Sequence, residues 1–190
     1  MTDYHPGLDG VIATESSISD IDGDKGILSY RGYSIEELAE KSTFEETAYL
    51  LLTGELPSKV ELESFIKKIN ARRDLPEGLI NLLKTLPKNS NPMDVIQLAV
   101  SSLGTYYPIK FDAEELKANK YTSDYYIDVS AGIIGSVGSI VAAWNRIKNN
   151  KAYIKPDNQL SYAENFMHML DDSIKVTPLI NRIIDATLIL

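Results

Sequence analysis

The fold of this chain is decided by Val129-Ser-Ala-Gly-Ile-Ile-Gly-Ser-Val-Gly-Ser-Ile-Val-Ala-Ala-Trp144, a run of sixteen residues without a charged side chain. Gly132, Gly135 and Gly138 recur every three residues, so on a helix they lie along one ridge. Glycine costs about 1 kcal/mol relative to alanine inside a helix, so we expect another backbone to lie close against this ridge. A membrane span is the alternative, but it needs about 20 apolar residues, and this shorter run contains three serines. The stretch therefore predicts a buried core helix.

Composition limits the class of protein and its partners. The chain has 190 residues, 44% hydrophobic and 24% charged, as in ordinary soluble domains. Its net charge of −8 and pI near 4.8 argue against a nucleic-acid partner, which requires a basic face. The absence of cysteine excludes disulfides, thiolate nucleophiles and sulfur-ligated metals. Residues 1–5 lack the basic and apolar regions of a signal peptide, so we expect a cytoplasmic protein that binds neither a membrane nor nucleic acid.

Residues 1–32 are predicted to form an extended N-terminal arm with a short β-hairpin. Gly10–Ser19 is rich in Val, Ile, Thr and Ser, and a glycine-containing turn cluster separates it from Ile27–Tyr30, which is typical of a hairpin. Three aspartates in this region, the first at Asp20, suggest a calcium loop. An EF-hand loop beginning there needs glycine at its sixth position and glutamate at its twelfth, where this chain has lysine and arginine. The region is therefore interpreted as a turn.

Residues 33–190 are predicted to be helical. A Ser or Thr followed three residues later by Glu, the capping-box pattern, occurs four times, at Ser34, Thr43, Ser58 and Ser161. Residues 91–92 and 177–178 each place a capping residue before a proline, which predicts two further helix starts. The predicted helices span residues 34–41, 43–53, 58–72, 76–86, 91–105, 122–149, 161–170 and 177–190. The predicted fold class is therefore all-α with a short N-terminal β-hairpin.

The last predicted helix stays apolar up to Leu190. No glycine, asparagine or cationic last turn caps it, although helix ends ordinarily have such a cap. We expect from this pattern that the chain is truncated at its C-terminal end and is cut from a longer protein.

Residues that could carry catalysis are scarce. The only histidines are His5, near the N-terminus, and His168, which we interpret as a packed helix histidine. The chain contains no phosphate-binding glycine loop after a strand, no Gly-x-Ser-x-Gly elbow and no His-Glu-x-x-His pair. Acidic pairs such as Glu45–Glu46 are explained as first-turn or surface charges. The residues alone therefore predict no catalytic, cofactor-binding or metal site.

Seven blocks of the sequence nevertheless occur in the order found in a known family. The blocks are Gly7–Glu15, Gly26–Leu38, Phe44–Pro57, Asn91–Val100, Ile140–Trp144, Leu160–Phe166 and Asp185–Leu190. Together they resemble the N-terminal part of citrate synthase, in the short form found in archaea and bacteria. The resemblance implies that residues 33–190 are a helical segment of the large domain of that fold.

The resemblance implies the chemistry of the longer parent enzyme. Citrate synthases are acyltransferases of the tricarboxylic acid cycle that condense acetyl-CoA with oxaloacetate to citrate and free CoA. Acetyl-CoA is a substrate there, and no cofactor is needed. In that family the first catalytic histidine follows the block matched by Asp185–Leu190, and the other catalytic residues come later. The resemblance therefore implies no catalytic residue in this chain and an inactive fragment.

The resemblance also implies a homodimer through the helices near residues 92–104 and 130–148. The glycine ridge and the small residues Ala99, Ser101 and Ser102 suit close packing there. Two alternatives stay open at this point. The chain is compatible with a fragment of 2-methylcitrate synthase, and with a stand-alone, non-catalytic helical dimerisation module.

Overall fold

The structure is a computed structural model that describes residues 6–8, 10–12, 14–108, 123–171 and 173–190. Its helices are α1 (Ile35–Lys41), α2 (Phe44–Thr53), α3 (Lys59–Asn70), α4 (Glu77–Thr85), α5 (Pro92–Tyr106), α6 (Ser123–Lys148), α7 (Tyr162–Leu170) and α8 (Pro178–Ile189). Every predicted helix is present, and its bounds differ from the prediction by at most two residues. The mainly helical fold class is confirmed.

A small antiparallel sheet precedes the helices. Its strands β1 (Ser19–Asp22), β2 (Ile27–Tyr30) and β3 (Tyr33–Ser34) pair in the order β1-β2-β3. The predicted hairpin is present, but the placement of its first strand was wrong. All four residues of β2 pair with residues 19–22. The described residues between Gly10 and Ile18 therefore lie outside the sheet, although this stretch is rich in Val, Ile, Thr and Ser. The sequence analysis missed β3, because a strand of two residues is too short to show an alternating pattern.

Side-chain caps begin the helices largely as predicted. Complete capping boxes form at Thr43, Ser58 and Ser161, and both proline-led starts are capped by the preceding residue. At the start of α1 only half of the box forms. The Ser34 hydroxyl accepts the Glu37 N–H at 3.2 Å, while the Glu37 carboxylate pairs with Lys41 at 3.1 Å.

The charge-free stretch lies in α6, which is the central helix. It packs against α3, α4, α5 and α7. Its fully buried apolar side chains include Ala131, Ile140, Ala143 and Trp144. Among the described residues it is the one helix long and apolar enough to cross a membrane by length and hydropathy, although half of the tested window is buried inside the protein. A core helix meets the same criteria, and the packing on four other helices confirms the prediction of a buried core helix.

The glycine ridge of α6 faces the end of α3 and the start of α7. A Cβ added at Gly135 would collide with the backbone carbonyl of Ile69, and one at Gly138 would lie 2.9 Å from the Tyr162 hydroxyl. Gly132 has more room, since its added Cβ would meet the flexible Arg72 side chain at 3.4 Å. The close backbone expected from the sequence is therefore present, and it belongs to the same chain.

The buried apolar residues form three clusters. The first joins α4, α5 and α6 around Leu79, Leu83, Val95, Leu103 and Trp144. The second joins α2, α3, α6 and α7 around Phe65, Ile69, Ala131 and Tyr162. The third joins the sheet, α1, α2 and α8 around Ile35, Leu38, Leu50 and Ile189. The first two clusters share α6, and the third is completed by α8.

Candidate functional site

Of the residues considered for catalysis or metal binding in the sequence, those that the structure describes are not brought together. His5 lies outside the described residues, and His168 is half-buried on α7. Asp22 accepts the backbone N–H of Lys25 at 3.1 Å and pairs with its Nζ at 2.7 Å, as expected of a turn. Within the described part of the chain, no three His, Asp or Glu residues lie close enough together to hold a metal ion. That the chain carries no catalytic, cofactor-binding or metal residue stays a prediction.

A cleft of about 720 Å³ lies between the second half of α5 and the first half of α6. Its walls are mostly apolar, with Leu103, Tyr107 and Ile133 among the lining residues. The Arg72 guanidinium covers the Tyr107 ring, with 3.8 Å between Cζ and the ring centroid. Asp128, the acidic residue of the lining, pairs with the Lys68 ammonium at 2.6 Å.

Both charged groups of this cleft are therefore engaged by neighbours in the same chain. Stacking of a guanidinium on an aromatic ring is favourable, and Asp128, whose side chain is 59% exposed, forms a surface ion pair with Lys68. An apolar cleft with its charges already paired suits packing against another apolar surface better than acid–base chemistry.

Further apolar side chains are exposed on α5 and α6. Met93, Leu98 and Tyr106 on α5 and Tyr126 and Ile133 on α6 are 40–67% exposed. These positions lie on neighbouring helices that pack on each other.

The outward face of α6 contains no charge over about four helical turns. Tyr126, Ser130, Ile133, Val137 and Val141 follow one another at spacings of three or four residues, and each is exposed or half-buried. The glycine ridge lies on another side of the same helix, where Ile69 and Tyr162 occupy it. Gly135 and Gly138 are therefore covered within the same chain, whereas Gly132 lines the cleft.

A buried polar network joins α2 to α7. The Glu45 carboxylate accepts the backbone N–H of Tyr162, the first residue of α7, at 2.9 Å. Burial raises the pKa of Glu45, and the Tyr162 N–H opposes that rise. The sequence analysis correctly placed Glu45 in the first turn of α2 but did not anticipate its burial, which brings its carboxylate to a helix 117 residues later in the chain.

Arg73 and Tyr162 complete the network. The Arg73 guanidinium is buried, donates to the Leu160 carbonyl at 3.3 Å and lies 5.2 Å from the centre of the Tyr162 ring. Burial lowers the pKa of Arg73 and raises the pKa of Tyr162 to about 12. The Tyr162 hydroxyl donates to the Ile134 carbonyl at 2.7 Å. These groups connect helices and are closed to solvent, so their role is structural.

Comparison with known proteins assigns the chain to a family. The family model described as "Citrate synthase, C-terminal domain" matches residues 7–190. The citrate synthase of Acidithiobacillus ferridurans is 40% identical over 188 residues, which are 98% of this chain and 47% of that protein. The chain belongs to the citrate synthase family. The resemblance inferred from the seven sequence blocks is thereby confirmed.

Other citrate synthases agree in sequence and in fold. The glyoxysomal citrate synthase of Cucurbita maxima is 40% identical over 194 residues, 98% of this chain and 37% of that protein. The solved citrate synthase of the archaeon Thermoplasma acidophilum, in a ternary complex with carboxymethyl coenzyme A and oxaloacetate, superposes with a TM-score of 0.86 at 29% identity. This superposition covers 98% of this chain and 47% of the archaeal one. The chain spans less than half the length of these relatives and forms part of the citrate synthase fold.

Proposed function

We propose that the whole protein containing this chain is a citrate synthase, which condenses acetyl-CoA with oxaloacetate to citrate and free CoA. The observation that carries the proposal is the 40% identity to the Acidithiobacillus ferridurans enzyme over 98% of the chain. The archaeal structure of the same fold holds a coenzyme A derivative together with oxaloacetate, which supports the same two classes of substrate for this protein.

In this proposal the chain is the N-terminal part of the large domain and has no activity by itself. Residues 33–190 supply the helical framework, and residues 1–32 supply an arm. The catalytic residues lie elsewhere in the whole protein, which works in the cytoplasm. The structural bonds of Glu45, Arg73 and Tyr162 support a framework role for the buried polar groups of this segment.

We further propose that two copies pair through α5 and α6. The uncharged outward face of α6 and the exposed apolar side chains Met93, Leu98 and Tyr106 of α5 support this arrangement. A two-fold interface buries the same patch on both subunits, so a single contact would cover these exposed apolar residues in both copies.

The test compares the protein at the length its gene encodes with the 190-residue chain. Release of CoA is measured with acetyl-CoA or propionyl-CoA, with and without oxaloacetate. We expect the encoded protein to release CoA from acetyl-CoA only when oxaloacetate is present, and the 190-residue chain to release none. A clear preference for propionyl-CoA would instead support the 2-methylcitrate synthase alternative. A gene product of 190 residues that dimerises without releasing CoA would support the dimerisation module.

A further inference from the structure

The two charged side chains of α8 both serve contacts within the protein, while apolar side chains of α8 are exposed. Asp185 is 7% exposed, whereas Leu179 is 70% and Ile183 is 54% exposed. Arg182 is half-buried. A surface helix ordinarily has the reverse arrangement. The contacts made by Arg182 and Asp185 explain why these charges turn inward.

Arg182 caps the C-terminal end of α1. Its Nη1 donates to the Ser42 carbonyl at 2.8 Å, and its Nη2 donates to the Ala39 carbonyl. Both carbonyls lie in the last turn of α1 or directly after it, where no following turn of helix is present to satisfy them. A cation is also favourable at this end of the helix dipole.

Asp185 caps the N-terminal end of α2. Its Oδ1 accepts the backbone N–H of Phe44, the first residue of α2, at 3.0 Å. Its Oδ2 pairs with Arg182 Nη1 at 3.2 Å. Only Ser42 and Thr43 separate the two helices, so one ion pair on α8 satisfies both sides of the corner between α1 and α2.

Apolar contacts reinforce the same junction. Ile189, at 4% exposure, completes the cluster that contains Ile35 and Leu38 of α1, with Leu28 and Tyr30 of the sheet packed against it. Residues 19–41, the sheet and α1, are named here the N-terminal unit. Its main helix contact outside the unit is α1 on α8, and Arg31 adds a hydrogen bond of 2.9 Å to the Leu51 carbonyl of α2.

We propose that α8 is a latch for the N-terminal unit. When the Arg182–Asp185 pair is broken, the unit and the α1–α2 corner open locally, while the core formed by α4, α5 and α6 stays folded. Proteins open in such contiguous units at a free energy below that of global unfolding. The latch is specific because loss of the Arg182 guanidinium leaves the buried Asp185 carboxylate without its cation and the Ala39 and Ser42 carbonyls without their donor.

Hydrogen–deuterium exchange of the protein at the length its gene encodes tests the latch. Arg182→Gln should accelerate amide exchange in residues 28–47 by about tenfold, the factor expected for loss of hydrogen bonds to a charged group. Exchange in α4 and α5 should be unchanged. Thr187→Val is the matched control, because Thr187 is exposed on the same helix and its hydroxyl bonds only within α8.

Two further variants keep the outcome interpretable. Arg182→Lys keeps the charge but lacks the fork that bridges two carbonyls and Asp185, so it should accelerate exchange in residues 28–47 less than Arg182→Gln does. Asp185→Asn keeps an acceptor for the Phe44 N–H but removes the charge that pairs with Arg182, so it should also accelerate amide exchange in residues 28–47 and not in α4 or α5. This variant provides the comparison if Arg182→Gln does not fold. Unchanged exchange at the corner, or equal acceleration there and in α4 and α5, would overturn the latch.

Discussion

Replacement of Gly135 by alanine tests the reason for the glycine ridge. The new Cβ would collide with the Ile69 carbonyl oxygen, a backbone atom at the end of α3. Neither helix can relieve this contact by a side-chain rotation, so α3 or α6 must shift. We therefore expect Gly135→Ala to destabilise the protein, although alanine is the better helix former.

The expected magnitude follows from two opposing terms. Alanine gains about 1 kcal/mol over glycine in a helix interior. Overpacking of a close-packed site costs typically about 1–3 kcal/mol, and sometimes more. A collision with a backbone carbonyl belongs at the upper end of that range, so the net loss is about 2 kcal/mol. For a chain of this size such a loss lowers the Tm by about 4–8 °C.

Gly132→Ala is the matched control on the same ridge. Its added Cβ would meet the flexible Arg72 side chain at 3.4 Å, an ordinary contact, so the helix propensity gain should dominate and the Tm should rise or stay constant. Thermal unfolding followed by circular dichroism, with both variants at the same chain length, gives the comparison. If Gly135→Ala is as stable as Gly132→Ala, then close backbone packing is not the reason for the ridge.

Three further predictions concern pH, the subunit contact and a helix end. Burial raises the pKa of Glu45 above 4.5, so its stabilising contribution is complete below about pH 4.5 and is lost as the pH rises through its folded-state pKa. The free energy of unfolding of Glu45→Gln relative to wild type should therefore increase from about pH 4 to about pH 7 in denaturant titrations, and a constant difference would contradict this. Ile133→Glu in the encoded protein should shift sedimentation toward a monomer, because it places a carboxylate on the proposed contact, whereas Val60→Glu, at an exposed aliphatic position on α3, should not; equal dimer content in both would refute the contact. Asn150 has φ of 56° after the end of α6, where glycine is preferred, so Asn150→Gly should stabilise the protein by up to about 1 kcal/mol in the same titrations, and a loss of stability would exclude backbone strain at this position.

The helices could be predicted from the sequence because their signals are local. A capping box such as Thr43 with Glu46 depends on two residues three positions apart, and the distance between them hardly depends on the rest of the fold. The same locality explains the partial miss at Ser34. Lys41, four residues after Glu37, competes for its carboxylate, and a pattern of two residues does not include that competitor. The family could also be recognised from the order of short blocks, which needs no knowledge of contacts.

The sequence by itself determined the helices, the central position of the charge-free stretch and the family. The tertiary structure alone decided which groups meet across the chain. Glu45 reaches Tyr162 across 117 residues, and Asp185 reaches Phe44 across 141. Such contacts depend on the directions in which several helices pack, and no short pattern encodes those directions. For the same reason, the glycines predicted a close backbone, but only the packing of α3 on α6 identified the Ile69 carbonyl as that backbone.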